Sequence, residues 1–105
     1  MKIANEKGKN VVYLEGEVNA QSGAEIKQKV LDLFSSNTGV VLSFKDVVYM
    51  NSSGLREIID LLKNANQNKK DLCLCEMSSD IREMFSFTGL DKVFKIFDSK
   101  DKALG

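Results

Sequence analysis

The sequence predicts a single α/β domain built around a mixed β-sheet. Its 105 residues fit one domain of ordinary size and leave no room for two. The apolar residues switch repeatedly between strand-type and helix-type spacing, in the order β, β, α, β, α, β, α, β. No proline, internal repeat or low-complexity tract interrupts that order. We therefore expect residues 1–105 to form one domain, with a mostly parallel or mixed sheet and right-handed crossovers.

The first part of the chain indicates a strand pair followed by a helix. Residues 11–18 are rich in β-branched and aromatic side chains and form a strand candidate, with which residues 2–5 are candidates to pair. From Ser22 the apolar side chains follow helical spacing, which predicts an amphipathic helix. These side chains are Ile26, Val30, Leu33 and Phe34.

The middle of the chain predicts a strand, a loop and a second helix. Residues 40–44 form a short, continuous apolar run, which is typical of a strand buried on both faces in a parallel sheet. A polar segment, residues 51–54, follows Met50 and leads into helically spaced apolar residues. These are Leu55, Ile58, Ile59 and Leu62. The polar residues 66–68 end this helix.

The last part predicts a strand, a helix, a final strand and a short terminal helix. Residues 72–76 form the strand, and the polar group Ser78-Ser79-Asp80 caps the helix that follows, which Gly89 ends. The side chains at 81, 84, 85 and 88 share one helix face. Residues 93–97 alternate as a strand, and residues 98–105 are candidates for a short helix.

Composition excludes several classes of function. Fifteen basic residues balance fifteen acidic ones, so nothing in the charge indicates a nucleic acid or an anionic membrane as partner. Histidine is absent, which excludes His-based acid–base catalysis, Ser-His triads and imidazole metal sites. No apolar run is long enough to cross a bilayer or to serve as a signal-peptide core, so we expect a cytoplasmic protein. Cys73 and Cys75 are expected to be reduced core residues, and we predict no metal and no cofactor.

The segment with the most chemical interest is residues 51–54, Asn-Ser-Ser-Gly, at the start of a helix. In one interpretation Ser52 or Ser53 only caps the helix, and Gly54 allows close packing. In the other, a serine here is phosphorylated, and the added charge of about −1.5 to −2 is stabilised by the open N–H groups of the helix start. The segment has neither the Gly-x-Ser-x-Gly pattern of a nucleophile elbow nor the Gly-Lys pattern of a P-loop.

Three segments carry a resemblance to a known family. Residues 40–55 resemble the signature segment of the STAS domain, the family of bacterial anti-sigma factor antagonists. Residues 81–90, with residues 94–98 behind them, are similar to the family's Phe-x-x-Thr-Gly-Leu segment and closing strand. Residues 14–19 give a third match. The resemblance implies a four- or five-stranded sheet with helices mainly on one face.

The resemblance also implies a function. In that family the first serine of the motif is phosphorylated by a partner kinase that is itself the anti-sigma factor, and a metal-dependent phosphatase removes the phosphate. Carried over to this chain, the acceptor is Ser52, and the protein is a binding module and a substrate, with no enzymatic activity. The family usually has aspartate where this chain has Asn51 and Asn19, so both local negative charges are absent.

The resemblance thus predicts a docking face for an anti-sigma factor. It consists of the loop at residues 51–55, the exposed side of the following helix and the loop at residues 19–23. The predicted contact residues are Asn19, Asn51, Ser52, Ser53, Gly54, Leu55 and Arg56, joined on the helix by Glu57 and Asp60. The alternative is a STAS adaptor subunit of a signalling or lipid-transport complex, in which both serines are only caps. A small-molecule binder is a third possibility, which no residue cluster favours.

Overall fold

The computed structural model describes residues 1–36 and 38–105, whose five strands form one sheet in chain order. The strands are β1 (Lys2–Glu6), β2 (Lys9–Val18), β3 (Val40–Met50), β4 (Leu72–Cys75) and β5 (Ile96–Phe97). β1 pairs antiparallel with β2, and every later pair is parallel. The mixed five-stranded α/β fold is the one that the sequence predicts.

Three of the four helices connect the parallel strands. The helices are α1 (Ala20–Leu33), α2 (Ser52–Gln67), α3 (Ser79–Phe87) and α4 (Lys100–Leu104), with 3₁₀ turns at Phe34–Ser36 and Leu90–Lys92. Because right-handed crossovers between successive neighbouring strands all run in one direction, α1, α2 and α3 lie on the same face of the sheet. This face holds the main core, whose largest fully buried side chains include Phe44, Phe85, Leu42, Ile58, Leu61 and Leu74.

The second face of the sheet carries a smaller core under α4. Its strand side chains are Val11, Val41, Cys73 and Cys75, which pack against Ala103 and Leu104. Both cysteines are free and buried, as predicted, and burial raises the pKa of the Cys75 thiol to about 12.

An ionic contact ties the start of α4 to the first two strands. Lys100 Nζ lies 3.0 Å from Glu6 Oε1 and 2.9 Å from the Tyr13 hydroxyl, which also donates to Glu6 Oε2. The hydrogen bond from Tyr13, followed by that from Lys100, lowers the pKa of the Glu6 carboxyl. The short helix is therefore held at both ends, by this contact and by the apolar side chains near its C-terminus.

Two strand boundaries differ from the prediction by three residues or more. The strand predicted over residues 40–44 continues to Met50, because its second half pairs with β2 through two register shifts, up to Val18 opposite Met50. That half is exposed at four positions, which interrupts the apolar run on which the prediction depends. The strand predicted over residues 93–97 is reduced to Ile96–Phe97, because the chain is still turning at Phe94, whose N–H donates to the Leu90 carbonyl. In the described part of the chain, no helix combines the length and the apolar content needed to cross a membrane.

Candidate functional site

The candidate site lies where β2 and β3 both give way to a helix. The two strands are parallel and end in register, at Val18 and Met50, so the residues that follow them are neighbours. The backbone N–H of Asn51 donates to the carbonyl oxygen of Val18 at 3.1 Å. The starts of α1 and α2 are therefore held side by side at the carboxyl edge of the sheet.

An asparagine caps each of these two helices. At the start of α1, Asn19 Oδ1 accepts from the Ser22 N–H at 2.9 Å, and Ser22 Oγ accepts from the Asn19 N–H at 2.9 Å, which completes a capping box. At the start of α2, Asn51 Oδ1 accepts from the Gly54 N–H at 2.8 Å. An aspartate would place an oxygen in the same position, so the cap needs no carboxylate.

The prediction that Ser52 or Ser53 caps α2 is wrong. The cap is Asn51, which keeps extended backbone angles, and Ser52 is already the first helical residue. Both serines are exposed, and within residues 1–36 and 38–105 no hydrogen-bond partner is found for either hydroxyl. Because the structural role falls to Asn51, the two hydroxyl groups at the start of α2 are left accessible.

Gly54 is required by a close approach of two backbones. A Cβ atom at this position would lie 2.2 Å from the Val18 carbonyl oxygen and 2.9 Å from the Asn19 backbone nitrogen. The matching position on α1 is Gly23, where a Cβ atom would lie 2.9 Å from Glu57 Cβ and 3.4 Å from Gly54 Cα. The expectation that Gly54 allows close packing is confirmed, and the close contact joins α2 to both β2 and α1.

The two predicted docking loops are helical, because residues 20–23 begin α1 and residues 52–55 begin α2. The structure divides the predicted docking residues into an exposed set and a buried set. Ser52, Ser53, Arg56 and Asp60 are exposed, and Asn19 and Asn51 are half-buried. The side chain of Leu55, by contrast, is only 8% exposed and belongs to the main core, and Gly54 is buried. Leu55 lies on the inner side of α2, as does Ile58 one turn later, so its assignment to the docking face is corrected: it supports that face from beneath.

Glu57 also has a structural partner. Its Oε2 lies 2.7 Å from Lys27 Nζ on α1, and this contact raises the pKa of Lys27. The ion pair spans α1 and α2 beside the Gly23–Gly54 approach, so it fixes how the two helix starts sit together. Because its carboxylate is already paired, Glu57 is less available for contact with a partner protein than the exposed Arg56.

The rim of the site has no formal charge. Residues 19–22 and 51–54 contain no ionisable side chain, and the first turns of α1 and α2 carry no acidic residue. Two helix N-termini nevertheless meet there, and each contributes a partial positive charge from its open N–H groups. The arrangement suits the addition of a negative group.

No cluster of side chains that could hold a metal ion is found in the part of the chain that the structure describes.

Comparisons with known proteins agree with the fold and with the sequence segments. The model of the STAS domain matches residues 2–103. The anti-sigma F factor antagonist of Paenibacillus polymyxa is 24% identical over 106 residues, which cover 99% of this chain and 91% of that protein.

Two solved structures are also similar. One is an anti-sigma factor antagonist from Mycobacterium paratuberculosis, with 20% identity, a TM-score of 0.84 and coverage of 98% of this chain and 88% of that one. The other is the Bacillus cell fate determinant SpoIIAA in its phosphorylated form, with 19% identity, a TM-score of 0.75 and coverage of 98% and 95%. At these identities the two structures support the fold.

Proposed function

The chain belongs to the STAS domain family, and we propose that it is an anti-sigma factor antagonist switched by phosphorylation of Ser52. In the unphosphorylated form it binds an anti-sigma factor that is also a serine kinase, and a sigma factor is released. Phosphorylation by that kinase ends the binding, and a protein serine phosphatase restores it. The protein acts in the cytoplasm as a binding module and a substrate and performs no catalysis itself. The name of the Paenibacillus polymyxa relative supports the proposal.

The observation that carries the proposal is the position of the Ser52 hydroxyl. It is exposed at the first residue of α2, and Asn51 already satisfies the cap. A phosphate on it adds about −1.5 to −2 charge beside open backbone N–H groups, which favour an anion. We therefore expect the modification to leave the fold intact.

The same phosphate would change the surface strongly. Phosphorylation of Ser52 changes the formal charge of the rim from zero to about −2, so this one modification determines whether the rim is neutral or negative. A partner that packs on the unmodified rim would have to desolvate a dianion, which is costly unless the partner supplies a matching cation. The asparagines at 19 and 51 increase this contrast, since aspartates would make the unmodified rim negative as well.

The first experiment asks whether the switch operates in cells. Intact mass and phosphopeptides are measured on the protein isolated from its own cells, during growth and after stress. We expect a phosphate on Ser52 whose occupancy changes with conditions. An unmodified Ser52 in every condition, with one partner that always copurifies, would reject the switch and favour the adaptor.

The second experiment measures affinity for the purified anti-sigma factor by calorimetry. We expect Ser52→Asp to weaken binding about 10-fold or more and Ser52→Ala to bind like the wild type while accepting no phosphate. The matched control is Gln67→Glu, because Gln67 is the exposed last residue of α2 and receives the same charge at the opposite end of the helix from Ser52. Equal affinities for the wild type and both Ser52 variants would contradict the proposal.

A further inference from the structure

We infer that an apolar groove between the end of β3 and the start of α3 is the anchor of the docking face, and that it receives an apolar side chain of the anti-sigma factor. The inference rests on the proposed function and adds to it the residues that hold the partner. The described residues of the docking face include no exposed large apolar side chain. Apart from the small side chain of Ala20, the exposed and half-buried residues there are polar, and Leu55 is buried in the core.

A polar face alone is a poor basis for a specific complex. Protein interfaces are held by a few central side chains, often aromatic, that fill a desolvated pocket, with polar contacts around them. Two exposed large apolar residues lie just before residues 51–54 in the chain. Val48 is 81% exposed and Tyr49 is 56% exposed, and only Met50 separates them from Asn51.

The groove has the size of one large side chain. It encloses about 270 Å³ between Val48 and Tyr49 on β3 and Ser78, Asp80 and Met84 at the start of α3. This volume is below the usual range of small-molecule pockets, about 300–1,000 Å³, and suits one aromatic or aliphatic side chain of a protein partner. Buried Met50 and Ile81 form its apolar floor.

The groove exists because β4 is shorter than β3. β4 pairs with β3 only along Val40–Ser43, and the chain then leaves the sheet toward α3. The second half of β3 therefore has a strand neighbour on one side only, β2. Its other side borders the groove, and Val48 there has no register partner on β2, because Gly16 lies opposite Val47 and Glu17 lies opposite Tyr49.

The exposed apolar residues of the described chain concentrate here. Five large apolar side chains are exposed among residues 1–36 and 38–105, and Val48 and Tyr49 are two of them. A third, Phe87, is 86% exposed and lies three residues after Met84, on the same side of α3. Such a cluster next to a candidate site is typical of a protein interaction surface.

The negative charge at the groove indicates which residues flank the inserted side chain of the partner. Asp80 lines it, and no ion pair to Asp80 is found in the described residues. We therefore expect the inserted side chain to be flanked by lysine or arginine. A partner seated on the groove would also cover the start of α2, since Met50 and Ser52 are two residues apart, so insertion and the phosphate on Ser52 would compete.

The test measures affinity for the purified anti-sigma factor with variants of the groove. We expect Val48→Glu and Tyr49→Thr each to weaken binding about 10-fold or more. Tyr49→Thr keeps a residue with high strand propensity, and a thermal melt checks that the variant is folded. The matched control is Val93→Glu, because Val93 is 62% exposed and lies outside the groove; its affinity should remain within about two-fold of the wild type.

The outcomes separate this inference from the proposed switch. If Ser52→Asp weakens binding and both groove variants bind like the wild type, the groove is not the anchor although the switch stands. If the groove variants weaken binding and Ser52→Asp does not, the anchor stands and the switch is wrong. A chain that forms a dimer through the groove, seen as a loss of self-association in Val48→Glu by sedimentation, would overturn the assignment of the anti-sigma factor as occupant.

Discussion

Helices α2 and α3 begin with the same local chemistry, yet only one of them forms a candidate site. Asn51 caps α2 with a 2.8 Å bond from the Gly54 N–H, and Ser78 caps α3 with a 3.3 Å bond from the Ile81 N–H. In both helices the first residue is an exposed serine. A serine at the start of a helix therefore does not by itself distinguish a regulatory site.

The surroundings of the two helix starts differ in packing and in charge. The third residue of α2 is Gly54, against which Val18 packs at backbone distance, whereas the third residue of α3 is Ile81, whose side chain is buried in the core. The first turn of α3 carries Asp80, and that of α2 carries no acid. The start of α2 thus packs against a second helix start and carries no charge. We therefore expect an added phosphate to leave the fold intact and to change the surface charge strongly.

The largest effect should come from Gly54→Ala. Alanine stabilises a helix interior by about 1 kcal/mol relative to glycine, but its Cβ would lie 2.2 Å from the Val18 carbonyl oxygen, and displacing backbone costs more. We expect a net loss of about 2–3 kcal/mol in the free energy of unfolding, measured by urea denaturation. Ser53→Ala, at the exposed neighbouring position, should change it by less than about 0.5 kcal/mol. A Gly54→Ala protein as stable as the wild type would show that α2 is not locked to β2.

Removal of the two caps should have a smaller and similar effect. Asn51→Ala and Ser78→Ala each lose one capping hydrogen bond, and we expect each to lower the free energy of unfolding by about 1 kcal/mol. The matched variant Asn51→Ser keeps a capping oxygen and should lose less than half of that. If Asn51→Ala had no effect while Ser52→Ala destabilised the protein, the cap would be the serine after all.

The smallest effect concerns the charge difference between the helices. Asn51→Asp places a carboxylate at the start of α2 and should stabilise the protein by about 0.5 kcal/mol at low salt, and Asp80→Asn should cost about as much at α3. In Asn51→Asp the carboxylate has a lower pKa in the folded state, so the gain is present above about pH 4 and is lost as the pH falls further. Salt titration at pH 7 and at pH 3 measures both dependences. A gain that is unchanged at pH 3 would exclude the electrostatic explanation.

Local sequence was sufficient for the elements whose pattern is uninterrupted. The helical spacing from Ile26 onward was identified, and the cap of α3 was narrowed to residues 78–80, because periodicity and capping chemistry depend on near neighbours. Prediction from local sequence ended β3 at residue 44, whereas the strand continues to Met50. Its second half contains Lys45 and Asp46, and only its pairing with β2 keeps it extended.

The cap of α2 shows the same limit at a single residue. Asparagine and serine have almost equal preference for the capping position, so the sequence Asn-Ser-Ser cannot choose between them. The choice is made by the hydrogen bond from Asn51 to Val18, a residue far away in the chain. The wrong choice matters, because a serine that caps the helix would have its hydroxyl engaged.

The sequence by itself determined the order of strands and helices, the buried side of each and the family resemblance, because these depend on residue type and on spacing along the chain. Only the tertiary structure decided that Asn51 is the cap and that Ser52 is exposed beside a second helix start. These features depend on β2 and β3 ending opposite each other, with the Asn51 N–H bonded to the Val18 carbonyl. Strand pairing joins residues that are distant in sequence, and local patterns carry no information about which ones meet.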